Sequence, residues 1–429
     1  MEGLQRPVNP AFGHTAPPDL TALQASRSQT VIARRVSQGL VASKVMNRKT
    51  LGALALGAAG IGTAVFAIPR TVAQAQTKLT VTVAPGYELE TIASDLKAPR
   101  GVLPISDTEA WVVEFGGWNP KTGSLAKLTR TGKKTWSVKR VVTKLDRPLS
   151  IAKGPDGKLY VGEVGKISRF DPTASPIVME PVVTGLPGKG LHPLTPFAFT
   201  PDKQLLVGVG SSTNNCEKFK GKPTCPAAEG KNASAVIRRY AMQWPSGKAG
   251  AWTVVARGLR NSMGMAVHSS GTILQAENGR DAINDADPKL SDDTLPHEEL
   301  NVITQGGNYG WPYCYSDQRP SPEFKKYACT QTIAPLKLLP AHAAPLGMSY
   351  WGNQLVVSYH GYRDTGHRLM GFRVDSSGKP NGEAVELIGN WGETDTQEFG
   401  GPVGTAVAPD DSLWVTDDRN NVILRLVKR

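Results

Sequence analysis

The strongest constraint on the fold is a pattern that the chain repeats six times. Each copy has a Gly or Pro near a strand start, an apolar run, a turn often written Asp-Gly or Pro-Asp, and a second strand. The clearest copies are I-A-K-G-P-D-G-K-L-Y-V-G-E, F-A-F-T-P-D-K-Q-L-L-V-G-V and T-A-V-A-P-D-D-S-L-W-V-T-D. The copies cover residues 99–130, 147–170, 192–240, 260–303, 344–374 and 401–426. Successive copies begin about 45 to 85 residues apart, and a minimal four-stranded propeller blade needs roughly 40 to 45 residues, so the excess is expected in loops.

This repetition predicts an all-β fold, a six-bladed β-propeller formed by residues 76–429 as one domain. The 45 glycines and 32 prolines suit many strands and turns, and no long segment of helical period follows residue 76. The early strand at residues 79–83 is expected to complete the last blade and close the ring. A β-sandwich, or two small β domains, is the alternative architecture.

The N-terminal 75 residues are predicted to lie outside the folded domain. Residues 1–45 are predicted to be a disordered extension, with Met46 as an alternative start. Residues 46–75 are predicted to be a signal peptide: a basic start, an apolar run and Ala73-Gln74-Ala75 as cleavage site. The alternatives are an uncleaved membrane anchor and a twin-arginine signal. The reading predicts a periplasmic or secreted protein with no stable membrane insertion after cleavage.

The charge of the chain gives no reason to expect nucleic-acid binding. The formal net charge is +12, and residues 1–76 hold eight Lys/Arg against two Asp/Glu, which leaves +6 for the rest. That remainder is mild and spread along the sequence, as for a solvated basic surface.

Four cysteines, Cys216, Cys225, Cys314 and Cys329, all follow the predicted signal. Export permits disulfides, and four cysteines allow three pairings. The local pairs Cys216–Cys225 and Cys314–Cys329 are favoured because each would staple one long loop. A metal site is disfavoured, since no C-x-x-C occurs and the spacings are wide.

The candidate functional residues stand where predicted strands begin or end. His192 opens the third copy and suits a base near neutral pH. Arg260 and Asn261 open the fourth copy, where a guanidinium suits carboxylates and an amide suits a carbonyl. The alternatives are a packed histidine, and turn chemistry with a surface arginine.

Hard oxygen ligands follow in the fourth copy, without matching an EF-hand, at Glu277, Asn278, Asp281, Glu298 and Glu299. A solvated acidic loop is the alternative. His360 and Arg363, after a strand of the fifth copy, are expected to line the channel mouth. No G-x-S-x-G, Walker loop, H-E-x-x-H or G-x-G-x-x-G occurs, which removes the commonest hydrolase, nucleotide-binding and zinc-protease classes.

The stretch G-L-R-N-S-M-G-M-A-V, with the later Q-A-E-N-G and E-E-L-N-V-I-T-Q-G-G-N-Y-G-W-P, resembles the soluble quinoprotein sugar dehydrogenases, the glucose/sorbosone dehydrogenase family. A-H-A-A-P-L-G-M-S-Y, V-S-Y-H-G-Y-R and G-P-V-G-T-A-V-A-P-D share the resemblance, which covers roughly Tyr87 to Arg429. It implies a six-bladed propeller that holds pyrroloquinoline quinone (PQQ) in its channel, together with Ca²⁺.

The resemblance also implies roles. His192 would be the base that takes the proton of the anomeric hydroxyl while hydride moves to the quinone, and Arg260 would steady charge on the quinone oxygens. The cofactor contacts it implies are Arg260, Asn261, Glu277, Asn278, His360 and Arg363, and the metal ligands are Asn278, Gly279 and Glu298. Among these, His360 stands where some members place a lysine.

The chain departs from the family pattern at three positions. Gly401 and Val403 stand where members usually have at least one arginine close to the PQQ carboxylates, and Ser211 stands where some have an aspartate. Arg363 is expected to compensate for the missing arginines.

These observations predict an exported PQQ-dependent dehydrogenase that oxidises an aldose sugar or a related aldehyde and passes electrons to an external acceptor. Two alternatives belong to other classes. One is a metal-dependent propeller lactonase without a quinone, and the other is a non-catalytic propeller that binds a sugar, a cell-wall polymer or a protein partner.

Overall fold

The computed structural model of the protein describes residues 79–217, 224–230 and 233–429. The predicted extension 1–45 and signal peptide 46–75 lie outside the described residues. Within the described part of the chain there is no α-helix. Short 3-10 turns are found at Ile283–Asp285, Pro322–Phe324 and Cys329–Gln331. No helix in these ranges is both long and apolar enough to cross a membrane.

The strands of the first half of the ring form blades 1 to 3. The chain begins with β1 (Thr82–Val83) and β2 (Tyr87–Ala93). Blade 1 is β3 (Pro99–Pro104), β4 (Glu109–Glu114), β5 (Gly123–Arg130) and β6 (Trp136–Leu145), and blade 2 is β7 (Ser150–Lys153), β8 (Leu159–Glu163), β9 (Lys166–Phe170) and β10 (Glu180–Thr184). Blade 3 is β11 (Phe197–Phe199), β12 (Leu205–Val209), β13 (Val236–Gln243) and β14 (Lys248–Arg257).

The second half of the ring has more irregular connections. Blade 4 is β15 (Ser262–Val267), β16 (Ile273–Glu277), β17 (Glu298–Val302) and, after β18 (Gly307–Asn308), β19 (Cys314–Tyr315) and β20 (Arg319–Pro320), the outer strand β21 (Lys337–Leu339). Blade 5 is β22 (Pro345–Trp351), β23 (Gln354–Tyr359), β24 (Arg368–Val374) and β25 (Pro380–Gly389), and blade 6 contains β26 (Pro402–Val407), β27 (Leu413–Asp417) and β28 (Val422–Lys428). The predicted six-bladed all-β propeller is therefore confirmed for the described residues.

The core lies between the faces of adjacent blades. The second strands β8, β12 and β27 are buried at every position, so they read as continuous apolar runs rather than alternating ones. One cluster, for example, joins Trp414 and Ile423 of blade 6 to Val112 and Leu128 of blade 1. Equivalent clusters fill the other blade junctions. Burial on both faces of a sheet explains why each repeat needs its neighbours.

The strand that closes the ring is not the one predicted from the sequence. β2 supplies the outer strand of blade 6 by pairing antiparallel with β28, with Leu89 opposite Leu426. The segment 79–83, predicted to close the ring, instead places β1 against β25 of blade 5. That prediction was wrong because two strand-like segments lie in tandem, and the longer one, seven residues against two, takes the free edge of blade 6.

The antiparallel blades define a mouth face, which carries the candidate site. Within each blade, the segment before the first strand and the segment joining the second and third strands lie at the same end. The first strands surround a channel of about 170 Å³, lined by apolar residues that include Leu149, Met263, Leu346 and Val403. The channel wall is therefore mainly apolar, whereas the charged groups lie at the mouth face.

Both predicted disulfides are present. Cys216–Cys225 closes part of the loop after β12, and Cys314–Cys329 closes part of the excursion between β17 and β21. The two belong to one buried cluster with Trp311. The two disulfides therefore lie in the same buried cluster, and the loop after β12 packs against the segment between β17 and β21.

Candidate active site

His192 lies on the mouth face, in the segment that leads into β11. Its Nδ1 is 2.9 Å from the carbonyl oxygen of Ser211. Because a carbonyl only accepts, Nδ1 carries the hydrogen and donates, which leaves the lone pair on Nε2. Burial, and then the charge of Arg260, lower the pKa of His192 to about 3. His192 is therefore a neutral imidazole in the tautomer that can accept a proton at Nε2.

Arg260 is held inside the protein and uses all its donors there. Its Nε and Nη2 donate to the backbone and side-chain oxygens of Asn214, at 3.1 and 2.9 Å. Nη1 donates to the carbonyl oxygens of Asn278 (3.1 Å) and Gly279 (2.5 Å), and Nη2 also binds Asp281 Oδ2 at 2.8 Å. Arg260 thus fixes the loop after β16 and lends its charge to the mouth, without a free N–H for a ligand.

The predicted oxygen ligands are committed to backbone contacts. Glu277 Oε1 accepts from the backbone N–H of Asn261 at 3.1 Å. Glu298 accepts from the N–H of Gly279 and, at 3.3 Å, of Ala344. Burial raises the pKa of Glu277 to about 8 and that of Glu298 to about 7. Among the described residues, no group of three or more His, Cys, Asp and Glu side chains is placed to hold a metal ion.

Asn278 ties blade 4 to its neighbour. With the side-chain amide oriented so that both neighbouring carbonyls are satisfied, it donates to Asn261 O and Pro345 O, each at 3.2 Å. The structure therefore brings Asn261, Glu277 and Asn278 together with Arg260, as the sequence predicted, but in a network that is mostly complete within the protein.

Arg363, in the connection between β23 and β24, contacts the loop that follows β16. Its Nη2 is 2.6 Å from Asp292 Oδ2, and its Nη1 is 2.6 Å from Asp293 Oδ1. His342 shares this contact, since its Nε2 lies 2.6 Å from the carbonyl oxygen of Asp292. Arg363 and His342 therefore fasten this acidic loop to blade 5, and the role of Arg363 as a substitute for missing arginines stays a prediction.

A second charged cluster, of which sequence reasoning found only His360, lies on the mouth face across blades 5, 6 and 1. Asp418 accepts from Arg100 Nη2 at 2.7 Å and from His360 Nε2 at 2.9 Å. Burial lowers the pKa of His360, so the ring is neutral at pH 7. Arg419 donates to the carbonyl oxygens of His360 (2.5 Å) and Gly400 (3.0 Å) and has no carboxylate at salt-bridge distance among the described residues. The Nε atoms of Arg100 and Arg419 are buried without a partner.

Gly401 stands at one of the two positions where the family pattern usually has an arginine, and the structure leaves no room for a side chain there. A Cβ at this glycine would lie 2.5 Å from Asp418 Oδ1 and 2.7 Å from Arg419 Cγ. The space beside residue 401 is therefore occupied by side chains from the turn after β27. The sequence contains D-D-R-N at the end of β27 and R-N directly before β15, so both motifs stand at a blade end. This position could have identified Asp418 and Arg419 as candidate site residues.

Three aromatic side chains on mouth-face segments are exposed: Trp118 (61%), Tyr362 (80%) and Phe399 (42%). The Tyr362 ring lies under the guanidinium of Arg419, at 4.2 Å, so one ring face is braced. Large exposed aromatic rings on one face of a protein suggest a ligand surface. These side chains join His192 and the charged clusters as components of the candidate site.

Comparison with known proteins adds a family and a fold. A family model described as TrAA12-like matches residues 81–325. Quinoprotein glucose dehydrogenase B from Acinetobacter calcoaceticus is 25% identical over 271 residues, 53% of this chain and 52% of that protein. The chain spans about half the length of the curated relatives it matches.

Solved structures give the same picture over more of the chain. A Trichoderma reesei member of the Carbohydrate-Active Enzymes family AA12 has a TM-score of 0.68 at 20% identity, covering 81% of this chain and 98% of that one. The holo form of the PQQ domain of a pyranose dehydrogenase from Coprinopsis cinerea has a TM-score of 0.67 at 19% identity, covering 83% and 98%. At such identities the likeness establishes the fold.

Proposed function

The chain belongs to the TrAA12-like family, and from that premise we propose that it is an exported PQQ-dependent dehydrogenase that oxidises an aldose sugar or a related aldehyde. One observation carries the proposal. The mouth face combines a neutral histidine base, His192, with a half-buried arginine, Arg419, that has no carboxylate at salt-bridge distance among the described residues. A guanidinium without such a partner is a donor suited to an anionic ligand.

PQQ fits this donor set. It is a tricarboxylate, and the unpartnered Nε atoms of Arg100 and Arg419 are donors suited to carboxylates. Arg100, Arg419 and His360 would hold it from one side, and Asn261 and Asn278 from the other. When bound, PQQ supplies a quinone that accepts the two electrons released as the sugar C–OH becomes C=O.

The chain's own residues perform the proton and positioning work. His192 takes the hydroxyl proton of the sugar at Nε2, since Nδ1 is already donating to Ser211. Arg260 fixes the loop at Asn278 and Gly279 and adds positive charge to the mouth. Tyr362 offers a free ring face on which a pyranose can stack.

The protein alone offers few free oxygen ligands for Ca²⁺. Ca²⁺ takes six to eight oxygen ligands, whereas Gly279 O accepts from Arg260 and Glu298 caps two backbone N–H groups. Asn278, Gly279 and Glu298 therefore do not form a calcium site by themselves, and no step is assigned to the ion. We propose that it binds only together with the quinone, whose oxygens would complete the ligand set.

Export and an external electron acceptor complete the proposal. Two disulfides support an oxidising compartment, periplasmic or extracellular. The predicted signal peptide lies outside the described residues.

The test is a titration of the chain from Gln76 onward with PQQ and Ca²⁺, followed by absorbance, and then a dye-reduction assay against a panel of aldoses. Saturable PQQ binding with sugar-dependent dye reduction, lost in His192→Ala, is the expected result. Lactone hydrolysis that needs only a divalent metal would replace the proposal with the lactonase. Sugar binding without PQQ binding or turnover would favour the non-catalytic propeller.

A further inference from the structure

A groove at the junction of blades 6 and 1, here named the seam groove, encloses about 410 Å³. It is lined by segments that join the first and second strands, at Ser106 and Asp410, and by the segment 130–136 that joins the third and fourth strands of blade 1. These connections lie at the opposite end of the blades from the mouth face. The volume falls within the roughly 300–1,000 Å³ of small-molecule sites. The seam groove is therefore a second concavity, separate from the candidate active site.

The floor of the seam groove is aromatic. Trp136 is half-buried and meets Trp414 edge to face, with ring centroids 5.2 Å apart and an interplanar angle of 89°. Trp414 is only 2% exposed, and its indole N–H has no hydrogen-bond partner among the described residues. Buried indole N–H groups usually find an acceptor. The pair thus combines a rigid ring platform with one donor left unused by the protein.

The rim of the seam groove is charged but neutral overall. Four acidic and four basic side chains line it. Arg425 is 2.8 Å from Glu90 Oε2 and also binds Asp410, and Lys134 is 2.8 Å from Glu90 Oε1. The ion pairs fix carboxylate acceptors beside guanidinium and ammonium donors. They also leave no net field that would select an anion or a cation.

We propose that the seam groove binds a neutral saccharide, with Trp136 as the platform for one sugar ring. A pyranose has an apolar face that stacks on an indole and an edge of hydroxyls that both donate and accept. The fixed carboxylates and guanidinium of the rim match that edge. The four carboxylates on the same rim disfavour a phosphate ligand, and a quaternary ammonium would need a cage of several rings rather than one accessible indole. The site does not depend on the cofactor or on turnover.

The experiment is isothermal titration of the chain from Gln76 onward, without PQQ, with cellohexaose, xylohexaose and maltohexaose as neutral probes and hexagalacturonate as an anionic comparator. At least one neutral probe should bind, and hexagalacturonate should bind more weakly. Trp136→Ala should weaken binding about tenfold, whereas Trp136→Phe, which keeps a ring, should stay within about threefold. Ser106→Tyr, at an exposed position on the rim, should block the groove without disturbing Trp136.

Trp252→Ala serves as the matched control, because it removes a half-buried indole from the fourth strand of blade 3, outside the seam groove and the candidate active site. It should leave the affinity of the neutral probe unchanged. The proposal is overturned if no neutral probe binds, if Trp118→Ala on the mouth face abolishes binding while Trp136→Ala and Ser106→Tyr do not, or if hexagalacturonate binds best. If Trp136→Ala unfolds, as circular dichroism would show, Trp136→Phe and Ser106→Tyr still decide. Loss of dehydrogenase activity alone would bear only on the mouth face.

Discussion

His192 offers the most direct test at the scale of single residues. Burial lowers its pKa to about 3, so the imidazole stays neutral well below the ordinary histidine value of about 6.5. The neutral form is the base, and acid removes it only below the lowered pKa. We therefore expect the His192-dependent part of kcat/KM to be flat from about pH 5 to pH 8. His192→Ala should lower kcat by about 10²- to 10⁴-fold.

Steady-state dye reduction across that pH range measures both effects. His268→Ala is the matched control, since His268 lies in the turn between β15 and β16, at the end of the blades away from the mouth. An acid limb centred near 6.5 in the unchanged protein would show that the site protonates His192 much more easily than its burial indicates. Full activity in His192→Ala would assign the base elsewhere.

Arg419 and Arg363 compete for the role of the missing family arginine. Within the described part of the chain, Arg419 forms no salt bridge, while Arg363 is bound to Asp292 and Asp293. Arg419→Gln should therefore weaken PQQ binding by about 10- to 100-fold, the range of a lost charged hydrogen bond. Arg363→Gln should change it by less than about threefold. Absorbance titration of the two variants side by side decides, and the reverse ranking would restore Arg363 to the cofactor.

Residues that begin or end strands were the predictable part of the site. His192, Arg260 and Asn278 were found from sequence because a polar group directly after or before an apolar run lies at a blade end. Arg100 and Asp418 were missed although they have the same local pattern. Arg100 and Asp418 form an ion pair with each other, and they meet only because ring closure places blade 1 beside blade 6. A single sequence also cannot show that the N–H groups of Arg260 already donate to oxygens within the protein.

At the scale of elements, β2 is the strand on which the ring depends. It pairs with β28 and contributes Ile92 and Ala93 to the core between blades 6 and 1. A chain that starts at Ser94 loses that burial, about 5 kcal/mol for the side chains of the strand, and leaves the edge of β28 open to association. We expect its Tm to fall by roughly 10 °C or more. A chain that starts at Gly86 keeps β2 and loses only β1.

Thermal melts and size-exclusion chromatography of the two shortened chains test this. Equal losses in both would mean that β1 on blade 5 matters as much as the closing strand. Sequence could not choose between the two segments, since residues 79–83 and 87–90 both alternate polar and apolar side chains. The choice depends on which segment reaches the free edge of blade 6 in the folded ring, a property of geometry rather than of local propensity.

At the scale of the whole molecule, the number of blades was readable because each copy of the pattern is one supersecondary unit with its own turn. The junction cores explain why the copies look alike: the second strands β8, β12 and β27 are buried on both faces and are mainly apolar, with polar residues only at the ends of β8 and β27. The excursion between β17 and β21 was readable only as a long loop. Its packing against the loop after β12, through two disulfides, required the three-dimensional structure.

The coupling of calcium to PQQ is a property of the assembled mouth. Gly279 O and Glu298 are already satisfied by the protein, so Ca²⁺ alone has too few oxygen ligands and should shift Tm by less than about 1 °C. PQQ at about a hundredfold excess over its Kd should stabilise the fold by about 2.7 kcal/mol. The same PQQ with a chelator should stabilise it less, if the ion completes its ligand set on the quinone. Differential scanning calorimetry with Ca²⁺, PQQ, both, and PQQ with EDTA separates the cases. A full shift with Ca²⁺ alone would show a site that the protein forms without the quinone, and identical shifts with and without EDTA would remove calcium from the cofactor site.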